Sequence, residues 1–147
     1  MNLLFVADPL ESFKAYKDTT YTMMREAARR GHGLCACEPR SLRWQQGRPV
    51  TARVRPIALT GREDGWFTED AARDMALKDF DAVLMRKDPP FDAEYIYATH
   101  LLEQAEREGA RVFNKPAALR DHPEKLAIME WPQFIGPTLV TREAEAV

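Results

Sequence analysis

Met85-Arg86-Lys87-Asp88-Pro89-Pro90-Phe91-Asp92 follows directly on the apolar stretch Phe80-Asp81-Ala82-Val83-Leu84. Arg86 can grip a carboxylate through two N–H groups at once, and Asp88 can hold an ammonium. Pro89 and Pro90 set their own φ and keep the residue before them extended, so these charges project from a stiff corner. An apolar run of this length reads as a strand of a covered sheet. Ligands of open α/β sheets sit beyond the carboxyl ends of such strands. A proline-stiffened turn with solvated charges is the other reading, and residue types leave both open.

Other polar groups fall at comparable places: Asp8-Pro9 with Asp18, and Asn114-Lys115 followed by Lys125. Together with Arg86 they suit a zwitterionic, amino-acid-like ligand. Asp18 also reads as a helix cap ahead of Thr19 and Thr20. By residue type alone, Lys125 is a solvated helix lysine. The usual nucleotide cradles are missing: there is no G-x-x-x-x-G-K-[ST] loop, no G-x-G-x-x-G after the first strand, and no G-x-S-x-G elbow. Cys35 and Cys37 would share one face of a strand, but no second Cys or His pair completes a metal site. They read as small core thiols of a reducing compartment. His32, His100 and His122 have no ligand spacing. No metal site and no catalytic residue are assigned.

Strand and helix signals alternate, which predicts an α/β fold with a parallel sheet flanked by helices. Leu3 to Ala7 is the first strand. Asp18 or Thr19 opens a helix reaching about Arg30, with Tyr21, Met24 and Ala28 on one face. Leu34 to Glu38 is the second strand, reached by a right-handed crossover. Ser41 to Trp44 and Val50 to Arg55, around Gln45-Gln46-Gly47, predict a β-hairpin on a sheet edge. Its Arg53 and Arg55 either guard that edge or offer a basic strand to an anion. Glu69 to Leu77 is a predicted helix, and Ala82 to Met85 a third parallel strand. Asp92 caps a helix over 93–108 whose stripe is Tyr95, Ala98, Leu102 and Ala105. Arg111 to Asn114 is a fourth strand, followed by a helical turn over Ala117 to Arg120. Pro123 and Glu124 open a helix reaching Glu130, and Thr138 to Thr141 starts another strand.

The 147 residues make one domain, or one and a fragment of a second. Hydrophobic content of 45%, charged content of 30% and a net charge of −2 describe an ordinary soluble globular chain. That charge gives no reason to expect a nucleic acid or an anionic membrane as partner. The first residues lack a basic n-region, so a signal peptide is not expected and the cytoplasm is the predicted location.

Met85 to Asp92, Ile96-Tyr97-Ala98-Thr99, Asn114-Lys115-Pro116, Leu119-Arg120-Asp121 and Glu124-Lys125-Leu126 together resemble bacterial glutathione synthetase. Asp8-Pro9, Tyr16-Lys17-Asp18-Thr19-Thr20, Trp66-Phe67 and Thr138-Leu139-Val140-Thr141 fit the same pattern in the same order. The resemblance covers essentially the whole chain. It implies an ATP-grasp ligase that joins γ-glutamylcysteine to glycine, with ATP first phosphorylating the dipeptide carboxylate. The implied fold is the Rossmann-like amino-terminal domain that precedes the ATP-grasp module. Residues 1–122 would form that domain, and 123–147 a linker and the beginning of the next. Lys125 falls where the family places a lysine on the nucleotide. Asp18, Arg86, Asp88 and Asn114 are the candidate dipeptide contacts by position and charge.

The family's second phosphate-side lysine, glycine-rich flap and magnesium ligands are not in this sequence. ATP and Mg²⁺ are therefore expected to serve the full-length enzyme and not to bind this chain tightly. The chain alone is expected to be inactive, with the missing ATP-grasp domain as its partner and an assembly of copies as a further option. Trp131, Phe134 and Ile135 are the predicted docking patch. The alternative reading is a free-standing, non-catalytic α/β domain that binds a peptide-like ligand or a partner subunit.

Overall fold

Leu3 to Ala7 are five uncharged apolar residues in succession, a run that suits a strand covered on both faces. In the computed structural model, which describes residues 1–62, 64–123 and 125–146, they lie in β1 (Asn2–Ala7). There follow α1 (Thr19–Arg29), β2 (Gly33–Cys37), β3 (Thr51–Leu59), β4 (Phe67–Glu69), β5 (Arg73–Ala76) and β6 (Ala82–Arg86). The last elements are α2 (Ala93–Arg107), β7 (Val112–Phe113) and α3 (Pro116–Asp121). The sheet runs β4-β3-β2-β1-β6-β7, with β5 paired to β3 off that path. β1 is parallel to β2 and β6, and β6 to β7, whereas β3 is antiparallel to β2, β4 and β5. The α/β, Rossmann-like architecture is thus the one expected.

Alternate side chains of β1 feed two cores, as the two-residue period of a strand requires. Leu4 and Val6 pack with Val83, Met85 and the α2 stripe Ala98, Leu102 and Ala105. Leu3 and Phe5 pack on the other face with Met24 and Ala27 of α1 and with Trp66. The two helices therefore cover opposite faces of the sheet. In α1 the buried positions are Thr20, Met24 and Ala27, while Ala28 is exposed. Both 27 and 28 neighbour Met24 on a helix, and the sheet lies on the i+3 side. Cys35 and Cys37 are buried free thiols facing the α2 side, and burial pushes the Cys37 thiol up to about 12.

Four expectations are corrected. The predicted helix over Glu69 to Leu77 is instead the strands β4 and β5, followed by a short 3-10 turn at Leu77–Asp79. Its helix-forming Ala and Met residues are overruled by the open edge of β3, whose backbone groups need partners. Arg53 sits opposite Asp74 in that pairing, and Arg43 reaches the same carboxylate at 2.6 Å. The edge hairpin exists, but its arms are β3 and β4; Ser41 to Trp44 contributes only the bridge between Arg43 and Thr51. Arg55 is paired with Glu69 at 2.8 Å, so the edge arginines are matched by acids on adjacent strands.

The remaining two corrections concern the carboxyl-terminal stretch. The helix expected to reach Glu130 is only a 3-10 turn, Leu126–Glu130, with no buried residue; Glu124 lies outside the described residues, as do Glu63 and Val147. Isolated helices owe most of their stability to a buried face, and this segment has none. Residues 138–141 form no strand, and Leu139 and Val140 are exposed. A strand exists by pairing, and the described residues offer this one no partner. Among the described residues, no helix is long and apolar enough to cross a membrane.

Candidate functional site

β1 leads through α1 to β2 on one side, and β6 leads through α2 to β7 on the other. The crevice between the carboxyl ends of β1 and β6 is therefore the point where strand order reverses, the usual ligand position in such sheets. Ala7 is in register with Arg86, which brings Asp8 beside Lys87. Asp8 Oδ1 pairs with Lys87 Nζ at 2.9 Å, and Asp8 Oδ2 accepts the backbone N–H of Asp88 at 2.8 Å. One carboxylate thus holds the strand-end run in place, with the cis Pro89–Pro90 bond following it.

Arg86 turns toward the start of α1. Its Nε donates to Thr20 Oγ1 at 3.1 Å and its Nη2 to Thr19 Oγ1 at 2.9 Å. Among the described residues it has no carboxylate partner, so the hydroxyls orient its charge without neutralising it. Asp18 caps α1, Oδ1 accepting the Tyr21 N–H at 2.9 Å. It also lines a cavity of about 360 Å³ together with Thr19, Thr20 and Asp88. Asp18, Arg86 and Asp88 are therefore brought together, and Asp18 both caps α1 through one oxygen and lines the crevice.

The same cavity is rimmed by Ser12, Lys14 and Lys17, which residue types alone did not single out. Their loop is anchored by buried Leu10 and by Phe13, which stacks on Trp66 at 5.8 Å; Tyr21 meets the same indole edge-on at 5.0 Å. Two lysines three positions apart just before a helix cap were the available signal.

Asn114 stands apart from this group. It is exposed just past β7, one strand beyond β6, and does not line that cavity; neighbouring Lys115 is engaged by Glu106 at 2.6 Å. Arg120 is structural, bonding Glu103 and donating to Thr99 Oγ1 at 3.1 Å, so α3 is fastened to α2. Its guanidinium holds the Glu103 carboxyl below the usual range. Lys125 lies at an open, largely apolar depression of about 670 Å³ with Ile128, Trp131 and Val140. Pro123, two residues earlier, shares a smaller hollow with Lys87 and Pro89, so the Lys125 segment leaves the body beside the strand-end run. Trp131 and Phe134 are exposed and 6.5 Å apart between ring centroids, and Ile135 is half-buried. No three His, Cys, Asp or Glu side chains among the described residues converge as a metal site.

Residues 1–120 match the family described as prokaryotic glutathione synthetase, N-terminal domain. The chain is 54% identical over 145 residues to the glutathione synthetase of Ralstonia nicotianae, covering 99% of this chain and 44% of that protein. It is 50% identical over 150 residues to the glutathione synthetase of Nitrosomonas europaea, covering 100% and 47%. The glutathione synthetase of Bordetella pertussis is 52% identical over 148 residues, with 97% and 46% covered. The chain thus spans about half the length of the curated relatives it matches.

Proposed function

The chain belongs to the prokaryotic glutathione synthetase N-terminal domain family, and on that premise we propose that it is the dipeptide-holding half of glutathione synthase. The reaction is ligation of γ-glutamylcysteine to glycine, with ATP converted to ADP and phosphate through an acyl phosphate of the dipeptide. The observation that carries this reading is Arg86: a guanidinium at the switch-point crevice, oriented by Thr19 and Thr20 and with no carboxylate partner among the described residues. A charge-assisted bond from that group to a ligand carboxylate is stronger than a neutral one and directional. Asp88 and Asp18, which line the same cavity, suit the ammonium of the γ-glutamyl unit. Lys14 and Lys17 make the rim cationic, which favours a ligand of net negative charge.

Lys125 is the residue through which this half reaches ATP, placing a cation near phosphate oxygens where charge builds up. It is one cation beside an apolar depression, far short of a nucleotide cleft. In this reading the magnesium ligands are drawn from the ATP-grasp part that the family resemblance implies, and the chain alone is inactive. Residues 1–122 form the first domain of the full enzyme and 123–147 the approach to its ATP-grasp partner.

Calorimetry of this chain with γ-glutamylcysteine tests the reading. Weak binding is expected, reduced about tenfold or more by Arg86→Ala. Equal heats from wild type and variant would remove the dipeptide from this crevice. ADP release at an enzyme-like rate by the chain with ATP, Mg²⁺, γ-glutamylcysteine and glycine would overturn the claim that it is incomplete.

A further inference from the structure

His122 and Glu130 lie on either side of Lys125 and meet: Nδ1 of the imidazole is 2.7 Å from Oε1 of the carboxylate. His122 belongs to the fixed body of the domain. Its backbone N–H donates to Ala118 O at 3.0 Å at the end of α3, and α3 is fastened to α2 through Arg120. Glu130 belongs to the 3-10 turn Leu126–Glu130, which buries no residue. Packing holds that turn weakly, so a polar tie across its base has a disproportionate influence on where it sits. At its two ends the turn is tied by backbone bonds from Ala127 N–H to Pro123 O at 2.9 Å and from Trp131 N–H to Ile128 O at 3.2 Å.

We propose that His122 and Glu130 are positioning residues, a protonation-dependent clasp that holds the segment bearing Lys125 against the domain and so sets how well Lys125 meets nucleotide phosphate. The nucleotide part of this rests on the assignment of Lys125 above; the clasp itself does not. An imidazolium bonded to a carboxylate is a charged pair, whereas a neutral imidazole keeps at most an ordinary hydrogen bond. The groups facing His122 are Glu130 and the adjacent Asp121, both favouring its charged form, with Lys87 and Tyr95 across the shared hollow. The hydrogen bond to Glu130 is the main cause holding the His122 imidazole above its ordinary value. A raised histidine gives its full contribution below the ordinary value and loses it as pH rises through its own higher one. The clasp is therefore closed in mild acid and opens as pH rises through the imidazole's own raised value.

Proton NMR of this chain reads the clasp directly. In Glu130→Gln the His122 ring should titrate at a lower pH than in wild type, and the Ala127 and Trp131 amides should exchange faster in mild acid. His122→Lys, which keeps a cation across this range, should protect those amides without the pH dependence. Identical His122 titration in wild type and Glu130→Gln, or unchanged amide exchange, would overturn the clasp. In the full-length enzyme, Glu130→Gln should raise KM for ATP about twofold to fivefold near pH 6, as befits an exposed pair. The difference should vanish at about pH 9, where the imidazole is neutral. A KM effect equal at both pH values would overturn the protonation dependence. A Lys125→Ala enzyme with unaltered ATP kinetics, alongside the expected NMR shifts, would sink the nucleotide reading alone and leave the clasp standing.

Discussion

The crevice at the ends of β1 and β6 and the stretch after His122 are held in different ways. In the crevice, the strand-end and helix-start charges are tied to groups that are themselves held: Asp8 to Lys87 and to the Asp88 backbone, Arg86 to two threonines, Asp18 to the first turn of α1. Beneath them lie fully buried Leu4, Val6 and Val83. After His122 the order is reversed. Leu126, Met129, Trp131, Phe134, Leu139 and Val140 are exposed, and short turns replace helices. The first region is a preorganised polar corner on a packed sheet. The second is an apolar surface on short turns, crossed by the tie from His122 to Glu130. A site that must discriminate a small charged ligand needs the first kind of support, because a misplaced charge loses the geometry of its bonds.

The sharpest way to break this contrast is to cut into each region with the same substitution. Leu102→Ala beneath the sheet should cost roughly 3 kcal/mol of unfolding free energy, since it opens a cavity in a packed core. Trp131→Ala should change the chain's stability by well under about 1 kcal/mol. Denaturant titration measures both, and comparable losses would mean the carboxyl-terminal stretch is packed after all. A smaller effect is expected at Asp8. Asp8→Ala removes an ion pair and a backbone acceptor at a partly buried position, for about 1–2 kcal/mol. It should also weaken γ-glutamylcysteine binding, because Asp88 loses its anchor; loss of stability with intact binding would separate the two carboxylates.

The finest distinction separates the cap that Asp18 forms from the ligand contact proposed for it. Asp18→Ala should cost about 1 kcal/mol through the lost cap. Asp18→Asn keeps a capping oxygen and removes the charge, so stability should stay within about 0.5 kcal/mol while dipeptide binding falls. Binding that survives Asp18→Asn would leave Asp18 as a cap and nothing more.

Much of the site was legible in the residues, and for a local reason. Asp92 and Asp18 cap helices through bonds that reach three residues along the chain, a distance over which sequence spacing is spatial spacing. Strand ends followed by proline or a cap residue mark where side chains leave the sheet, so Arg86, Asp88 and Asp18 were found together. The errors have the opposite character. Whether Arg73–Ala76 is helix or strand depends on an open β3 edge about twenty residues away, and at short apolar segments that edge outweighs propensity. Lys14 and Lys17 were missed because their loop is placed by Trp66, a contact no local pattern announces.

The sequence by itself determined the alternating α/β order, the starts of α1 and α2, the buried thiols and the charged strand-end corner, all consequences of near-neighbour periodicity and capping. Only the tertiary structure decided that Arg86 is held by threonine hydroxyls at the α1 terminus, that Asn114 lies apart, and that His122 reaches Glu130. Those facts depend on strand order and on contacts between residues far apart or separated by a loop, where burial and pairing, and not residue type, set the outcome.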